Sequence, residues 1–344
     1  MRCLMGYTIA IACVLTLLPL VRKTGDVSAT VIVDSRDAAS DRLFPAQLTL
    51  EEATIDVAFA PGELKLSRSR VLAWVEASAQ AVARYYGRFP VPRLRLFLIP
   101  EPGAGVRFGT TFGRPQPFIK IWLGQFTEEV MLQCDWVMTH EMVHLAFPHV
   151  PEAHHWIEEG LATYVEPLAR FGTGQIPVEK VWQDLVRGLP HGLPRSGDQG
   201  LDRTHTWGRT YWGGALFCLL ADLEIRQQTA NQKGLQDALR AIVAAGGTMA
   251  VKWPLTHALK IGDQAVGVPV LTELYERMKA APVEVDLADL WQRLGIEARG
   301  DTVVFHDDAP LASVRQAVTS TALGMVNQES PERISQYANN SCSL

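Results

Sequence analysis

The sequence predicts an α+β fold, in which strands open the globular part of the chain and helices follow. Two observations carry this prediction. Before about residue 125, apolar and polar residues alternate in several stretches, which is the pattern of half-buried strands. After that point, apolar residues recur at intervals of three and four, which is typical of amphipathic helices. Strands grouped before helices indicate the α+β class, here with a small mixed sheet and a mostly helical C-terminal part.

Composition limits the class of protein. The 344 residues, 47% of them hydrophobic, are enough for a sizeable core in one large or two smaller domains. The net charge of -5 and the lack of a long basic run argue against a nucleic-acid partner. The five cysteines include no CxxC pair, which excludes a zinc ribbon. We expect Cys134 and Cys218 to be buried free thiols.

The N-terminus predicts export from the cytoplasm. Residues 3–21 form an uncharged, largely apolar run with Arg2 before it and a basic pair after it. The length of this run matches a membrane-spanning helix, whereas the small residues at 27–29 resemble a signal-peptide cleavage site. Residues 1–29 are therefore expected to be a cleaved signal peptide or a single-pass membrane anchor. Either one would place the protein in the periplasm, outside the cell, or on a membrane facing away from the cytoplasm.

The first half of the globular part is predicted to hold most of the strands. Residues 30–66 are expected to be a linker followed by the N-terminal strands. Alternation predicts the strands, helical spacing of apolar residues predicts the helix, and Gly and Pro predict the loop. In order, we expect one or two strands within 47–59, a helix within 61–90, a strand at 92–100, a loop at 101–117 and a strand at 117–125.

Helices dominate the remainder. Thr127 is expected to begin a helix whose first turn holds Glu128 and Glu129, where acidic side chains suit the helix dipole. That helix can continue to Phe147 and stop at Pro148. Further helices are expected at 157–166, 178–187, 211–228, 234–245, 270–280 and 286–294, with a late strand at 302–307. We assign residues 67–310 to one main domain and 311–344 to a C-terminal segment with a polar, disordered end.

The stretch THEMVHLAFPHVPEAHHWIEEGLATY, residues 139–164, contains an HExxH motif on a predicted helix. His140 and His144 are four residues apart, so both imidazoles lie on one helix face at a spacing that suits a zinc ion. Glu141 lies beside them, where it can take a proton from an attacking water. The competing interpretation is a core helix with two incidental histidines. Buried histidines need polar partners, however, and a metal ion provides one.

A catalytic zinc needs three protein ligands and an open position for water, and several residues are candidates for the third ligand. The candidates are His149, His154, His155, Glu158 and Glu159. The HExxHxxGxxH pattern is not met, because Phe147 and Val150 stand where it needs glycine and histidine. Glu158 lies about 100° from Glu159 around the next helix, and helical geometry modestly favours Glu159. Gly160 is small enough to let this helix approach the HExxH helix closely.

The segments HEMVH and WIEEGLATYVE together resemble the gluzincin metallopeptidases, which carry HExxH followed by W-x-x-E-G-x-A-x-Y. The chain is most similar to peptidase MA-like proteins, and more distantly to the aminopeptidase N and glycyl aminopeptidase families. The resemblance covers roughly residues 68–245. It implies a zincin-like peptidase domain over 67–310, a peptide or protein substrate, and Zn2+ held by His140, His144 and Glu159.

The same resemblance implies a role for Tyr211, which matches a tyrosine whose hydroxyl stabilises the tetrahedral intermediate. A phenol can donate a hydrogen bond to the developing oxyanion. His205 is a second candidate for this role, and a tyrosine that only begins a core helix is the alternative. Glu166 is expected either to orient a ligand histidine or to be a solvated surface residue.

Two departures from the family limit what the resemblance implies. The spacing between His144 and Glu159 is shorter than in aminopeptidase N relatives, and the GxMEN motif that grips a free N-terminus is absent. Aminopeptidase specificity is therefore not implied. The strand at 117–125 is expected to line the cleft and to pair with an extended substrate.

The leading hypothesis is a zinc-dependent metallopeptidase in which Glu141 is the general base. The main alternative is a catalytically silent, zinc-containing binding or assembly protein of the cell envelope, which the leader and the missing N-terminus grip motivate. The intact Glu141 argues against that alternative, since a structural zinc needs no base. A third hypothesis treats the motif as accidental and the anchor as the main feature. The sequence leaves open the cleavage specificity and the oligomeric state.

Overall fold

The structure, a computed structural model, describes residues 30–32, 44 and 46–323. Residues 1–29 and 324–344 lie outside the described residues, and so do the predictions of a signal peptide or membrane anchor and of a disordered C-terminal end. Among the helices that are described, none has the length and apolar character needed to cross a membrane.

Six strands of the described part form one mixed sheet. The strands are β1 (Thr30–Ile32), β2 (Ala46–Leu50), β3 (Ala53–Phe59), β4 (Arg93–Glu101), β5 (Val106–Phe112) and β6 (Phe118–Gly124). Their order is β1-β2-β3-β4-β6-β5; β3, β4 and β6 are parallel, and the other neighbours are antiparallel. In β4, Leu94, Leu96 and Leu98 are fully buried, as strict alternation predicts.

The described residues form eleven α-helices and a small hairpin. The helices are α1 (Arg68–Tyr86), α2 (Glu129–Gln133), α3 (Val137–His144), α4 (His155–Gly172), α5 (Val178–Gly188), α6 (Gly214–Gln228), α7 (Leu235–Ala244), α8 (Leu255–Val266), α9 (Val270–Met278), α10 (Leu287–Leu294) and α11 (Ala312–Leu323). The hairpin consists of β7 (Ile296–Arg299) and β8 (Thr302–Phe305). The small mixed sheet and the helices that follow it confirm the predicted α+β class.

The helix α4 lies at the centre of the helical part. It packs against α1, α3, α5, α6 and α11. Because its neighbours surround it, nearly every residue from Trp156 to Arg170 is buried, and its sequence is apolar on most sides rather than on one stripe. The polar side chains that α4 does carry are therefore buried between helices, where each one needs a partner.

Three local predictions are wrong. The loop expected at 101–117 contains β5. The strand expected at 117–125 is present as β6, but it pairs with both β4 and β5, so its predicted pairing with a substrate is wrong. The single helix expected from 127 to 147 is two helices, α2 and α3. The break occurs at Asp135, whose carboxylate accepts hydrogen bonds from the amides of Val137 and Met138 at 3.0 and 3.1 Å. Such a side chain satisfies amides at the start of a new helix.

Other elements differ in detail from the prediction. The helix α8 was not expected, although its buried residues recur at helical spacing. The predicted helix at 211–228 begins with a π-helical turn, Arg209–Gly213, that leads into α6. Cys218 is a buried free thiol as expected, whereas Cys134 is disulfide-bonded, so the prediction of a free thiol is wrong at Cys134.

Candidate metal centre

Two packed helices bring together the candidate ligands. The helix α3 carries His140 and His144 on one face, and α4 presents Glu159 towards them. The Nε2 atom of His140 is 3.3 Å from Oε2 of Glu159, and that of His144 is 3.6 Å from the same oxygen. One ligand atom from each of the three residues lies within 4.8 Å of the other two, and all three side chains are at most 10% exposed.

The chemistry and the spacing of this group fit a zinc ion. Two imidazoles and one carboxylate are a common ligand set of catalytic zinc, and the fourth position is then left for water. Ligand atoms about 2.0–2.1 Å from a tetrahedral zinc lie roughly 3.3 to 3.4 Å from one another. The two histidine–glutamate distances of 3.3 and 3.6 Å are close to that spacing without any rearrangement of the helices.

The electrostatics of the group favour a cation. Burial raises the pKa of Glu159, but hydrogen bonds from His140, His144 and His155 outweigh it and lower the pKa well below its usual range. Burial lowers the pKa of His140, which favours the neutral imidazole that a metal requires. Burial also acts to lower the pKa of His144, yet the hydrogen bond with Glu159 and the nearby negative charges raise it overall. The ionised carboxylate of Glu159 therefore provides the negative charge that a metal cation would bind.

A glycine contact sets the position of α4 beside the π-helical turn. A Cβ atom added at Gly160 would overlap the backbone of Gly214, and one added at Gly214 would overlap the carbonyl oxygen of Trp156. Only glycine at both positions permits this approach. We expected Gly160 to admit the HExxH helix; its close neighbour is instead the start of α6. The Glu-Gly pair of the motif therefore has two roles. Glu159 is a candidate ligand, and Gly160 makes the contact that positions it.

The same contact brings Tyr211 to the candidate ligands. Its ring stacks on that of His140, with centroids 6.3 Å apart and planes 14° from parallel. Burial, the charge of Glu159, a hydrogen bond with Glu159 and the charge of Glu141 raise the pKa of Tyr211 to about 12. The phenol therefore keeps its proton at neutral pH. His205, the other candidate for this role, is exposed, and the described contacts do not join it to the three ligands.

Glu141 is held by the edge strand β5, which the sequence did not connect with the site. The side chain is 8% exposed, and its Oε2 accepts a hydrogen bond from Oγ1 of Thr111 at 2.6 Å. The Thr111 oxygen also lies 2.8 Å from the main-chain oxygen of Glu141. Gly109, two residues earlier on the same face of β5, leaves space for the carboxyl group. A glycine within a stretch of alternating residues was the available signal, since it often marks a close approach.

The remaining histidines of the window orient carboxylates. His149 and His155 each place Nδ1 3.0 Å from the carboxylate of Glu158, which also accepts a hydrogen bond from the amide of Val150. In addition, Nε2 of His155 lies 3.3 Å from Oε1 of Glu159, whereas His140 and His144 are close to the other oxygen, Oε2. Glu158 therefore ties the loop after α3 to the start of α4, and His155 supports Glu159.

Two further residues lie away from the ligand group. His154 contacts Asp202, whose carboxylate also accepts hydrogen bonds from Trp156 and Tyr275. Glu166 is buried and pairs with Arg170 at 3.0 Å, so the expectation of a solvated side chain is wrong. None of its described contacts reaches a candidate ligand, and the alternative of an orienting role is therefore not supported either.

Solved structures of two proteins are similar to this chain. An aminopeptidase N family protein from Idiomarina loihiensis matches with a TM-score of 0.55 and 13% identity, over 78% of this chain and 49% of that one. An M1 zinc metallopeptidase from Deinococcus radiodurans matches with a TM-score of 0.45 and 14% identity, over 75% of this chain and 53% of that one. The chain thus spans about half the length of these structures.

The first of these likenesses confirms the predicted zincin-like fold and its distant similarity to the aminopeptidase N family. At 13% identity, a structural match establishes a shared fold and leaves the function to be argued from the site. No family model matches the chain, and no curated protein does.

Proposed function

We propose that this protein is a zinc-dependent metallopeptidase that hydrolyses peptide bonds. The observation that carries the proposal is the buried group of His140, His144 and Glu159, with the carboxylate of Glu141 beside it on α3. A zinc ion held by the three residues would polarise the substrate carbonyl and lower the pKa of a water to about 7. The likeness in fold to an aminopeptidase N family protein supports this class of reaction.

Glu141 is the general base and then the general acid. It accepts a proton from the attacking water as the bond between the water oxygen and the carbonyl carbon forms. It then donates that proton to the amide nitrogen, so that the carbon–nitrogen bond breaks and a neutral amine leaves. Its burial supports this role, because few waters surround the carboxylate to compete for the proton.

Tyr211 is proposed to donate a hydrogen bond to the carbonyl oxygen as negative charge develops on it. Its ring stacks on that of His140, so the residue is next to the candidate ligands. Its raised pKa, about 12, keeps the donor proton in place at neutral pH.

The proposed substrate is an extended peptide that pairs with β5. This strand pairs with β6 on one side only among the described residues, and it lies beside Glu141. An unpaired strand edge next to a catalytic group suits an extended peptide, which hydrogen-bonds to it as an added strand. We also propose that the protein acts outside the cytoplasm, because the uncharged, largely apolar run at residues 3–21 is typical of exported proteins.

The variant Glu141→Gln tests the function. We expect it to keep zinc, because all three ligands remain, and to lose hydrolysis by about 10²–10⁴-fold, the usual contribution of general acid–base catalysis. The substrate is first identified by digesting a peptide library with and without a chelator and reading the products by mass spectrometry. The activity and the zinc content of the variant are then measured with that substrate.

The matched control is Glu273→Gln, which makes the same change at an exposed position on α9 and should retain activity. Full activity in Glu141→Gln would exclude the proposed mechanism. A protein that binds one zinc per chain and cleaves nothing in the library would instead favour the catalytically silent envelope protein.

A further inference from the structure

We infer that Thr111 is a positioning residue, which holds the Glu141 carboxylate in the orientation that its proton transfers require. The inference rests on the proposed function, since it assigns a role to Thr111 through Glu141. It does not follow from the motif, because Thr111 lies on β5 and thirty residues separate it from Glu141 in the chain. Three contacts between the strand and Glu141 carry it.

The first two contacts are made by the Thr111 hydroxyl. Its Oγ1 lies 2.6 Å from Oε2 of Glu141 and 2.8 Å from the main-chain oxygen of the same residue. A length of 2.6 Å is that of a short hydrogen bond from a hydroxyl to a carboxylate oxygen. The hydroxyl has a single proton, which is shared between the carboxylate oxygen and the main-chain oxygen, so it links the carboxylate to the backbone of α3. A glutamate has three rotatable side-chain bonds, so an orientation of this kind needs such a contact.

The third contact is the space at Gly109. A Cβ atom at this position would lie 2.5 Å from Cγ and 2.8 Å from Oε1 of Glu141, closer than such atoms approach each other. Gly109 is not among the residues of positive φ, so the space and not the backbone conformation requires glycine. Gly109 and Thr111 lie on one face of β5, since side chains alternate along a strand. Together they position the carboxylate: Thr111 donates a hydrogen bond to one oxygen, and Gly109 leaves space for the other.

This arrangement separates the effect of Thr111 on substrate binding from its effect on the reaction. An added strand would hydrogen-bond to the main chain of β5, whereas the Thr111 hydroxyl is engaged with Glu141. Removing the hydroxyl therefore leaves the pairing edge intact and releases only the base. A residue that merely tied β5 to α3 would behave differently, because its loss would disturb stability, zinc binding and KM together.

The test compares Thr111→Val, which replaces the hydroxyl by a methyl group, with Thr111→Ser, which keeps it. Both are made in the full, zinc-loaded chain and assayed with the peptide identified above. We expect Thr111→Val to lower kcat by about 10–100-fold, the usual effect of losing an orienting partner, with KM within about twofold. Thr111→Ser should restore kcat to within a few-fold of the wild type. Thr256→Val, the same change at an exposed position on α8, is the matched control and should leave kcat unchanged.

A second readout does not use turnover. A peptide hydroxamate binds zinc and gives its hydroxyl proton to a nearby base, so its Kd reports on the position of Glu141. We expect calorimetry to show weaker binding, by about fivefold or more, in Thr111→Val and in Glu141→Gln but not in Thr256→Val. Zinc affinity, measured by competition with a chelator, should be the same in all of these variants.

The outcomes separate this inference from the proposed function. Activity retained in Glu141→Gln would overturn both. Activity lost in Glu141→Gln but fully retained in Thr111→Val would overturn only the role of Thr111. A Thr111→Val protein that loses zinc, or whose KM rises as much as its kcat falls, would assign Thr111 a structural role and overturn the inference. If Thr111→Val does not fold, Thr111→Ala is held to the same expectations and decides between these outcomes.

Discussion

Glu159 and Glu166 lie about two turns apart on α4 and both are buried, yet their pKa values shift in opposite directions. Burial alone raises the pKa of a carboxyl group. At Glu159, hydrogen bonds from three histidine rings outweigh burial and lower the pKa. At Glu166, burial outweighs the attraction of Arg170 and raises the pKa to about 7. The same helix thus holds one carboxylate that remains ionised and one that is readily protonated.

The partners of the two glutamates explain the difference and what it indicates. Glu166 pairs at 3.0 Å with Arg170, a permanent cation that also donates to the main-chain oxygen of Gln133. This group needs no further charge. The partners of Glu159 are imidazoles, which carry a charge only when they are protonated. A divalent cation bound by neutral imidazoles would also provide Glu159 with a positive partner. This end of α4 is therefore suited to bind a metal, whereas the ion pair at the other end has a structural role.

The largest expected difference is in zinc affinity. Glu159→Gln should weaken zinc binding by more than about 100-fold, because it removes a ligand, and losing only an orienting partner already costs 10–100-fold. Glu166→Gln, the matched change two turns along, should alter zinc affinity by less than about threefold. Zinc content after purification and competition with a chromogenic chelator measure both values.

Circular dichroism checks that the two variants keep the wild-type helix content. If Glu166→Gln lost zinc as strongly as Glu159→Gln, the division of α4 into a metal-binding end and a structural end would be wrong. If neither variant lost zinc, the three candidate ligands would not be the site.

The parts of this picture that the sequence predicts are local ones. HExxH places its two histidines on one face because four residues make about one helical turn, and that relation holds wherever a helix forms. The Glu-Gly pair at 159 and 160 indicates the third ligand. Helical geometry alone left Glu158 as a candidate, and the family resemblance selected Glu159. Strict alternation likewise predicts β4, since its side chains face the core on every second residue.

The parts that the sequence did not predict depend on contacts between distant segments. The glycines and prolines of 101–117 predict a loop, but Gly109 lies in β5, where the side chain of Glu141 occupies the place of a side chain at that position. Asp135 read as a helical residue, but its carboxylate begins a new helix at Val137. In each case a local rule fails next to the site, where a tertiary contact decides the residue type.

The second prediction uses the raised pKa of Glu166. The folded chain binds this proton more tightly than the unfolded chain, whose carboxyl has a pKa near 4.5. The stability that comes from the proton is therefore full below about pH 4.5 and is lost as the pH rises to about 7. Glu166→Gln does not titrate and should lack this loss. Unfolding by urea at pH 5, 6 and 7 should show the variant gaining stability relative to the wild type as the pH rises.

Glu273→Gln serves again as the control, since an exposed carboxylate should give a curve parallel to that of the wild type. A Glu166→Gln curve parallel to the wild type would show that Glu166 has the same pKa in the folded and unfolded chain. Burial would then be offset by Arg170, and the contrast with Glu159 would be one of partners only.

The smallest expected effect concerns the exposed aromatic rings beside the metal-binding end of α4. Trp207 is 63% exposed and stacks on Tyr211, with centroids 6.1 Å apart, and Trp136 is 42% exposed and meets His140 edge-on at 5.3 Å. Exposed aromatic rings beside a site offer contact to apolar side chains of a ligand. Trp207→Ala should raise KM by about two- to tenfold for peptides with a bulky apolar residue beside the cleaved bond, since an aromatic pair contributes about 0.5–1.5 kcal/mol.

Peptides that carry glycine or alanine at that position provide the internal control, and their KM should change little in Trp207→Ala. Phe126→Ala removes a ring of similar exposure, 66%, that has no described ring contact with the candidate ligands or Tyr211, and it should leave both sets of peptides unaffected. An equal fall in kcat for all peptides would mean that Trp207 acts by supporting Tyr211. In that case the Trp207 ring would act only through the position of the Tyr211 phenol and would contribute nothing to the choice of substrate.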